Sequence, residues 1–305
     1  MSHGIKHSGS RHRKQPPRRS INIPRLFDMS RSADVERAAD ALAEGRFGFV
    51  HFANIIGLFC EPSASTVGDM NEFKGSERGK PVSITTSWEA VPSVVDRAAF
   101  PYQLSPEKAL TIASALNRHG PAGVILPASH NVADHLSVMD KGILRSTKTV
   151  QVITAGAGSP FDDFALAVTA RLPVAYFAAT SANISSYSIG TPQSVHYRMK
   201  HVLKEFSDRS NAEFFVLASP DERGLGKAYR YHDARSTTIV KLSDVARDSH
   251  GAPLRDPEGK HILQITRWGS MDRQLTQRII AQYGYGVQFP ADRVRKRSYA
   301  WRRDS

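Results

Sequence analysis

The stretch 173-PVAYFAATSANISSYSIGTP-192 joins an apolar run, Pro173 to Ala179, directly to Thr180, Ser181, Ala182 and Asn183, and then to serines ending at Gly190. A short apolar run bounded by turn residues reads as a buried strand. Strand ends in α/β sheets are where ligands bind. The hydroxyls and the amide of this loop suit phosphate oxygens, while Ala182 keeps the wall thin. An Asx or Ser turn capping the next segment accounts for the same residues.

Working outward, Val35, Ala38, Ala39 and Leu42 recur at helical spacing behind Ser30 and Ser32, which predicts a helix over 33–44 ended by Gly45. Phe47 to His51 reads as the first strand. Ser105-Pro106 opens a second helix with Ala109, Ile112, Ala113 and Leu116 on one face. Further strands are expected at 124–126, 149–154, 174–179, 213–218, 236–242 and 261–266, and further helices at 161–171, 193–207 and 271–283. The segment 244–260, with Pro253 and Pro257, reads as a long loop. Strands and helices alternate and several strands are apolar throughout, a pattern that predicts an α/β sheet covered on both faces.

The chain has 305 residues, 40% of them apolar and 23% charged, a globular balance. Its net charge of +12 is concentrated at the ends. Residues 1–20 carry Lys6, Arg11, Arg13, Lys14, Arg18 and Arg19, residues 293–303 carry Arg293, Arg295, Lys296, Arg297, Arg302 and Arg303, and neither stretch has an acid. The expected organisation is a disordered basic arm over 1–29, one α/β domain over 30–290 and a basic tail over 291–305. Such arms suit RNA backbones through salt-sensitive phosphate contacts, with Tyr299 and Trp301 available to stack on unpaired bases. Solvated tails that contact nothing are the alternative.

The one cysteine, Cys60, sits in an apolar run and fits a buried thiol in a reducing cytosol. No apolar run is long enough to cross a membrane, and the N-terminus has no apolar leader core. A cytoplasmic protein without membrane contact is therefore expected. No Cys/His spacing points to a metal site, and His3, His7 and His12 have no thiolate or carboxylate companions. The loop 75-GSERGKP-81 lacks the spacing of a Walker phosphate loop and places Pro81 where Ser or Thr would hold magnesium. It still offers Lys74, Arg78 and Lys80 to a polyanion. A second hydroxyl cluster, Arg235-Ser236-Thr237-Thr238, enters a strand, and Arg267 follows another strand before Trp268-Gly269.

Ser181-Ala182-Asn183-Ile184-Ser185 resembles the SAN-x-S signature of the YrdC/TsaC family of threonylcarbamoyl-adenylate synthases. Other pieces follow in the family's order along residues 34–270. Ile56-Gly57-Leu58 resembles the end of PTxTxYGL, and Lys74-Gly75 with Lys80-Pro81 resembles the KxRP loop. Gly120-Pro121 before Val124-Ile125-Leu126 resembles GPxTxIL, Thr237-Thr238-Ile239-Val240 resembles STVVD, and Arg267 with Gly269 resembles LRPG. The resemblance implies an open, twisted, mixed α/β sheet with a concave basic face. It also implies a nucleotidyltransferase of tRNA modification, in which ATP with Mg2+, bicarbonate and L-threonine give threonylcarbamoyl-AMP and pyrophosphate. Lys74, Ser181, Asn183, Thr237, Thr238 and Arg267 match its nucleotide contacts; Lys74 also matches a catalytic cation, and Arg78, two residues beyond the position of the family's arginine, is the candidate for the other.

The departures gather on the amino-acid side. Phe52 and Asn54 replace two threonines, Ile56 the tyrosine, Ser76 the arginine of KxR, Thr85 a histidine, Gly123 the threonine of GPxT, Ile153 an arginine, and Ser186 the last glycine of SANxSG. A substrate hydroxyl or ammonium left unpaired costs about 1–3 kcal/mol. The expectation is therefore a pocket of Phe52, Asn54, Thr85 and Gly123 that disfavours threonine. Two readings stand: a carbamoyl-adenylate synthase using some amino acid, and a non-catalytic relative that binds tRNA or double-stranded RNA.

Overall fold

The computed structural model describes residues 25–53, 55–141, 146–185, 196–209, 213–222, 224–225 and 235–293. The cations of the N-terminal arm, those beyond Arg293, Asn54 and Ser186 lie outside the described residues.

Twelve strands of the described residues form a single sheet in the order β1-β9-β2-β3-β8-β4-β7-β5-β10-β11-β12, with β6 paired on β7. They are β1 (Arg25–Asp28), β2 (Phe47–Phe52), β3 (Ile55–Cys60), β4 (Ser83–Thr85), β5 (Ala122–Pro127) and β6 (Val138–Lys141), then β7 (Ser146–Thr154), β8 (Phe177–Ser181), β9 (Phe214–Ala218), β10 (Thr238–Lys241), β11 (Ile262–Arg267) and β12 (Gly286–Gln288). The pairing is mixed: β2 and β3 are antiparallel, β2 and β9 parallel, and β5 lies antiparallel to β7 and parallel to β10. This is the open mixed α/β sheet that the resemblance implied.

Helices α1 (Ser32–Ala43) and α4 (Phe161–Thr169) cover one face. Helices α2 (Ala64–Phe73), α3 (Pro106–Arg118), α5 (Met199–Glu205) and α6 (Arg273–Ala281) contribute to the core on the other. Their starts follow capping chemistry: Ser63, Ser105 and Asp272 each accept a hydrogen bond from a backbone N–H three residues on.

The strands β2, β3 and β9 are buried on both sides. Phe47, Phe49, Ile56 and Leu58 enter one core, and Val50, Phe52, Ile55 and Phe59 the other. Phe161 of α4 meets Phe52 at 4.8 Å and Phe59 at 5.2 Å between ring centroids. Gly48 leaves room for the Phe215 ring, which would lie 2.1 Å from a Cβ there.

The strands β5, β7, β10 and β11 alternate instead. Val124, Leu126, Val150, Val152, Val240, Leu263 and Ile265 point into a core, and their neighbours Ile125, Thr149, Gln151, Lys241, Gln264 and Thr266 point into a cavity. Double coverage, expected for the sheet as a whole, therefore holds for one half of it.

Two elements correct the sequence reading. Arg25–Asp28, placed in the disordered arm, is an edge strand parallel to β9. Helix α2 was not anticipated, because Gly68 and its β-branched residues weaken the helical signal. Residues 244–260 contain no helix or strand, in line with the loop expected there, and are held by the bridges Arg247 to Pro253 and Arg255 to His261.

Candidate functional site

The cavity on the open half of the sheet measures about 720 Å³. The polar ends of β8, β10 and β11 form one side, the loop after α2 another, and β6 a third. Among the described residues five basic side chains line it, Lys74, Lys80, Lys141, Lys241 and Arg267, against one carboxylate, Asp140. That carboxylate is paired with Lys241 at 2.6 Å. An open space with so uneven a balance attracts anions.

Lys74 is placed by the end of α2. Gly75 adopts φ +71°, its N–H donates to Glu72 O, and the Ser76 N–H reaches back to Asn71 O at 2.8 Å. These bonds make a Schellman motif, whose left-handed residue favours glycine. Gly75 thus ends a helix. The Asn71 side chain then donates to Arg78 O at 3.1 Å and Lys80 O at 2.8 Å, which fixes the loop carrying Lys80.

The Lys74 ammonium crosses to the strand-end loop, donating to Thr180 Oγ1 at 2.7 Å and to Ser181 O at 2.6 Å. Desolvation by burial, with Lys80 adding to it and Glu205 opposing it, lowers its pKa to about 7. The loop is held from behind as well. Ser185 N–H donates to Lys74 O at 2.9 Å, and Ile184 N–H donates at 2.7 Å to Glu205, which also binds His196. Asn183 lines the cavity, and its buried Oδ1 has no hydrogen-bond partner among the described residues. On the far side Arg267 donates to Ser236 Oγ at 2.9 Å. Burial lowers the guanidinium pKa.

Of the residues expected from sequence, Lys74, Ser181, Asn183 and Arg267 are brought together around this one cavity. Thr237 and Thr238 are not on it. Both are buried, and Thr238 Oγ1 accepts from Gly269 N–H and Met271 N–H, each at 3.1 Å, tying β10 to the loop after β11. Gly269 is required there, since a Cβ would fall 1.9 Å from Ser236 O.

Arg78 is also elsewhere. It pairs with Asp69 at 2.6 Å and Glu72 at 2.5 Å on the solvent side of α2, and those two carboxylates draw it out of the cavity. Phe52 lies in the aromatic core against α4, because alternation along β2 turns it away from the face of Phe47 and Phe49. Thr85 is fully buried and donates to Ile153 O at 2.8 Å. Gly123 packs on Ile239, whose Cγ1 would lie 2.9 Å from an added Cβ. Of the expected amino-acid pocket, then, Phe52, Thr85 and Gly123 do not line the cavity, and Asn54 lies outside the described residues.

Residues not anticipated at the site are Lys141, Lys241, Gln151, Gln264 and the apolar Leu136, Val138 and Met139. The signal was present in the alternation of Lys241, Gln264, Thr266 and Gln151 with apolar neighbours. Cys60 is buried and its thiol pKa is pushed well up, chiefly by burial. Among the described residues no three His, Cys, Asp or Glu side chains are grouped to hold a metal ion, and no helix is long and apolar enough to cross a membrane.

No protein-family model matches the sequence, and no curated protein matches it. The fold does match solved structures. The crystal structure of P. abyssi Sua5 complexed with L-threonine superposes with a TM-score of 0.58 at 17% identity, covering 87% of this chain and 62% of that one. The chain thus spans about three-fifths of the length of that Sua5. A hypothetical protein, smu.1377c from Streptococcus mutans UA159, matches at TM-score 0.58 and 11% identity, over 88% of this chain and 100% of that one. E. coli YciO matches at TM-score 0.50 and 11% identity, over 83% of this chain and 100% of that one. The chain is a divergent protein of the YrdC/Sua5 fold.

Proposed function

We propose that the cavity binds the phosphates of ATP and that the protein forms a carbamoyl-adenylate from an amino acid, bicarbonate and ATP. The observation that carries this reading is the charge balance of the site: among the described residues five basic side chains from four separate segments converge on one space that holds a single, already paired carboxylate. In the reaction the amine is carboxylated, the carbamate oxygen attacks the α-phosphorus, and pyrophosphate leaves. Little covalent work falls to the protein. Positioning and neutralisation of developing phosphate charge carry most of the rate. Mg2+ would arrive with ATP rather than in a resident protein site.

Lys80 and Arg267 are the groups best placed to take phosphate oxygens. Leu136, Val138 and Met139 give the cavity its apolar wall. The amino acid is accordingly one whose side chain is apolar, rather than one held by the threonine-type contacts that are replaced here. The P. abyssi Sua5 structure holding L-threonine supports an amino-acid substrate in this fold.

The test is to incubate the protein with Mg·ATP, bicarbonate and a panel of amino acids, following pyrophosphate and the adenylate by mass spectrometry. Product with an aliphatic amino acid supports the reading. Absence of an adenylate with every amine removes it.

A further inference from the structure

Lys74 differs from the other cations of the cavity in being buried, at 5% exposure, while still lining the open space. Its Nζ has two acceptors, Thr180 Oγ1 at 2.7 Å and Ser181 O at 2.6 Å, and no ion pair with a carboxylate among the described residues. A neutral primary amine has two hydrogens and one lone pair. Two acceptors occupy the two hydrogens, and no described residue donates a hydrogen bond to the lone pair. Lys80 and Arg267 line the same cavity and supply positive charge for an anion formed there.

The geometry points to Lys74 as a carbon dioxide-binding lysine, whose Nζ reversibly forms a carbamate within the cationic cavity. The step is balanced without any redox partner. The Nζ lone pair forms an N–C bond to CO2, one C=O π bond becomes the carbamate C–O⁻, and one Nζ proton leaves to solvent. The carbamate nitrogen keeps a single hydrogen, enough for the Ser181 carbonyl. The Thr180 hydroxyl, no longer needed as an acceptor, turns to donate to a carbamate oxygen.

Burial prepares the amine for this reaction. With its pKa lowered to about 7, about half of Lys74 is the free base at neutrality and more of it in mildly alkaline buffer. An ordinary exposed lysine presents less than about a thousandth of itself in that form. The modification replaces a cation by an anion at the wall of the cavity, so a polyphosphate and the carbamate compete. This inference goes beyond the synthase reading, since it requires only CO2 and the protein.

The full-length protein is equilibrated with isotopically labelled bicarbonate in mildly alkaline buffer. Carbamates are then trapped by O-alkylation with a trialkyloxonium salt, and the digested peptides are read by mass spectrometry. We expect label at Lys74 at least about tenfold above that at the exposed Lys80 and Lys141. Excess ATP should lower it, and Lys74→Arg should abolish it. Label at Lys74 no higher than at Lys80 and Lys141 in the unaltered protein overturns the inference, with no variant needed. The two proposals fail separately: ATP binding without label at Lys74 refutes the carbamate alone, and label that ATP does not displace, in a protein that makes no adenylate, refutes the nucleotide reading alone.

Discussion

The strands β2, β3 and β9 and the strands β5, β7, β10 and β11 belong to one sheet, yet one group is walled in by helices on both faces and the other is open on one. The backbone pattern is the same in both. The side chains differ: Phe49-Val50 and Leu58-Phe59 send apolar groups both ways, whereas Val240-Lys241 and Leu263-Gln264-Ile265-Thr266 send them one way only. Since alternate residues of a strand face opposite sides, that difference alone decides where the protein has a second core and where it has a cavity. Stability is thus concentrated in the first half, and the cavity lies in the second.

The comparison is broken or sharpened most directly by truncating one residue from each half. Phe59→Ala removes a ring packed against Phe52, Phe161 and Phe177 and should cost about 3–5 kcal/mol in denaturant unfolding. Gln264→Ala on the open face should stay within about 0.5 kcal/mol of the parent. Equal losses would mean that the open face is as structural as the covered one.

Lys74 marks the border between the two regimes. Its folded pKa of about 7 lies below the unfolded value, so the unfolded chain binds more protons between that value and the ordinary lysine range. Stability attributable to this residue therefore rises with pH through that window, and its burial cost is fully present below it. Lys74→Met should be more stable than the parent in mildly acidic buffer, by on the order of 3 kcal/mol. The gap should close as pH climbs toward the ordinary lysine pKa. A pH-independent gap in thermal unfolding would show that Lys74 is not desolvated.

Smaller effects separate the cavity from its surroundings. Arg267→Ala should weaken ATP binding by about tenfold to a hundredfold, the value of one or two charge-assisted hydrogen bonds, with little change in melting temperature. Calorimetric titration measures it, and unchanged affinity would remove Arg267 from the phosphate site. Arg78→Ala should leave ATP affinity where it was, because Asp69 and Glu72 hold Arg78 outside the cavity.

Much of the architecture was legible. The helical spacing of Val35, Ala38, Ala39 and Leu42, and of Leu275, Ile279 and Ile280, marks faces that are buried. The strand-end loop after Ala179 does deliver Ser181 and Asn183 to a cavity. What could not be read was direction. Thr238 and Thr85 are hydroxyls at strand ends like Ser181, but their partners are Gly269, Met271 and Ile153 O, all distant in sequence. Phe52 looked like a pocket wall because it stands where a resembling motif has threonine; its facing was set by the register of β2 against β3. Lys141 and Lys241 belong to no motif. They become site residues only when β6 and β10 are laid beside β7 and β5.

The helix end at Gly75 has a consequence for how this chain can tolerate change in length. Lys74 is the C-cap residue of α2, whose start is pinned by the Ser63 cap and whose end is pinned by the Schellman bonds of Gly75 and Ser76. Each residue of an α-helix advances the side chain by about 100°. Deleting or inserting one residue anywhere in Ala64–Phe73 would swing the lysine about a quarter-turn away from Thr180 and Ser181 while leaving a perfectly acceptable helix. Substitutions along α2 are therefore judged by packing, but its residue count is fixed by the cavity it ends on.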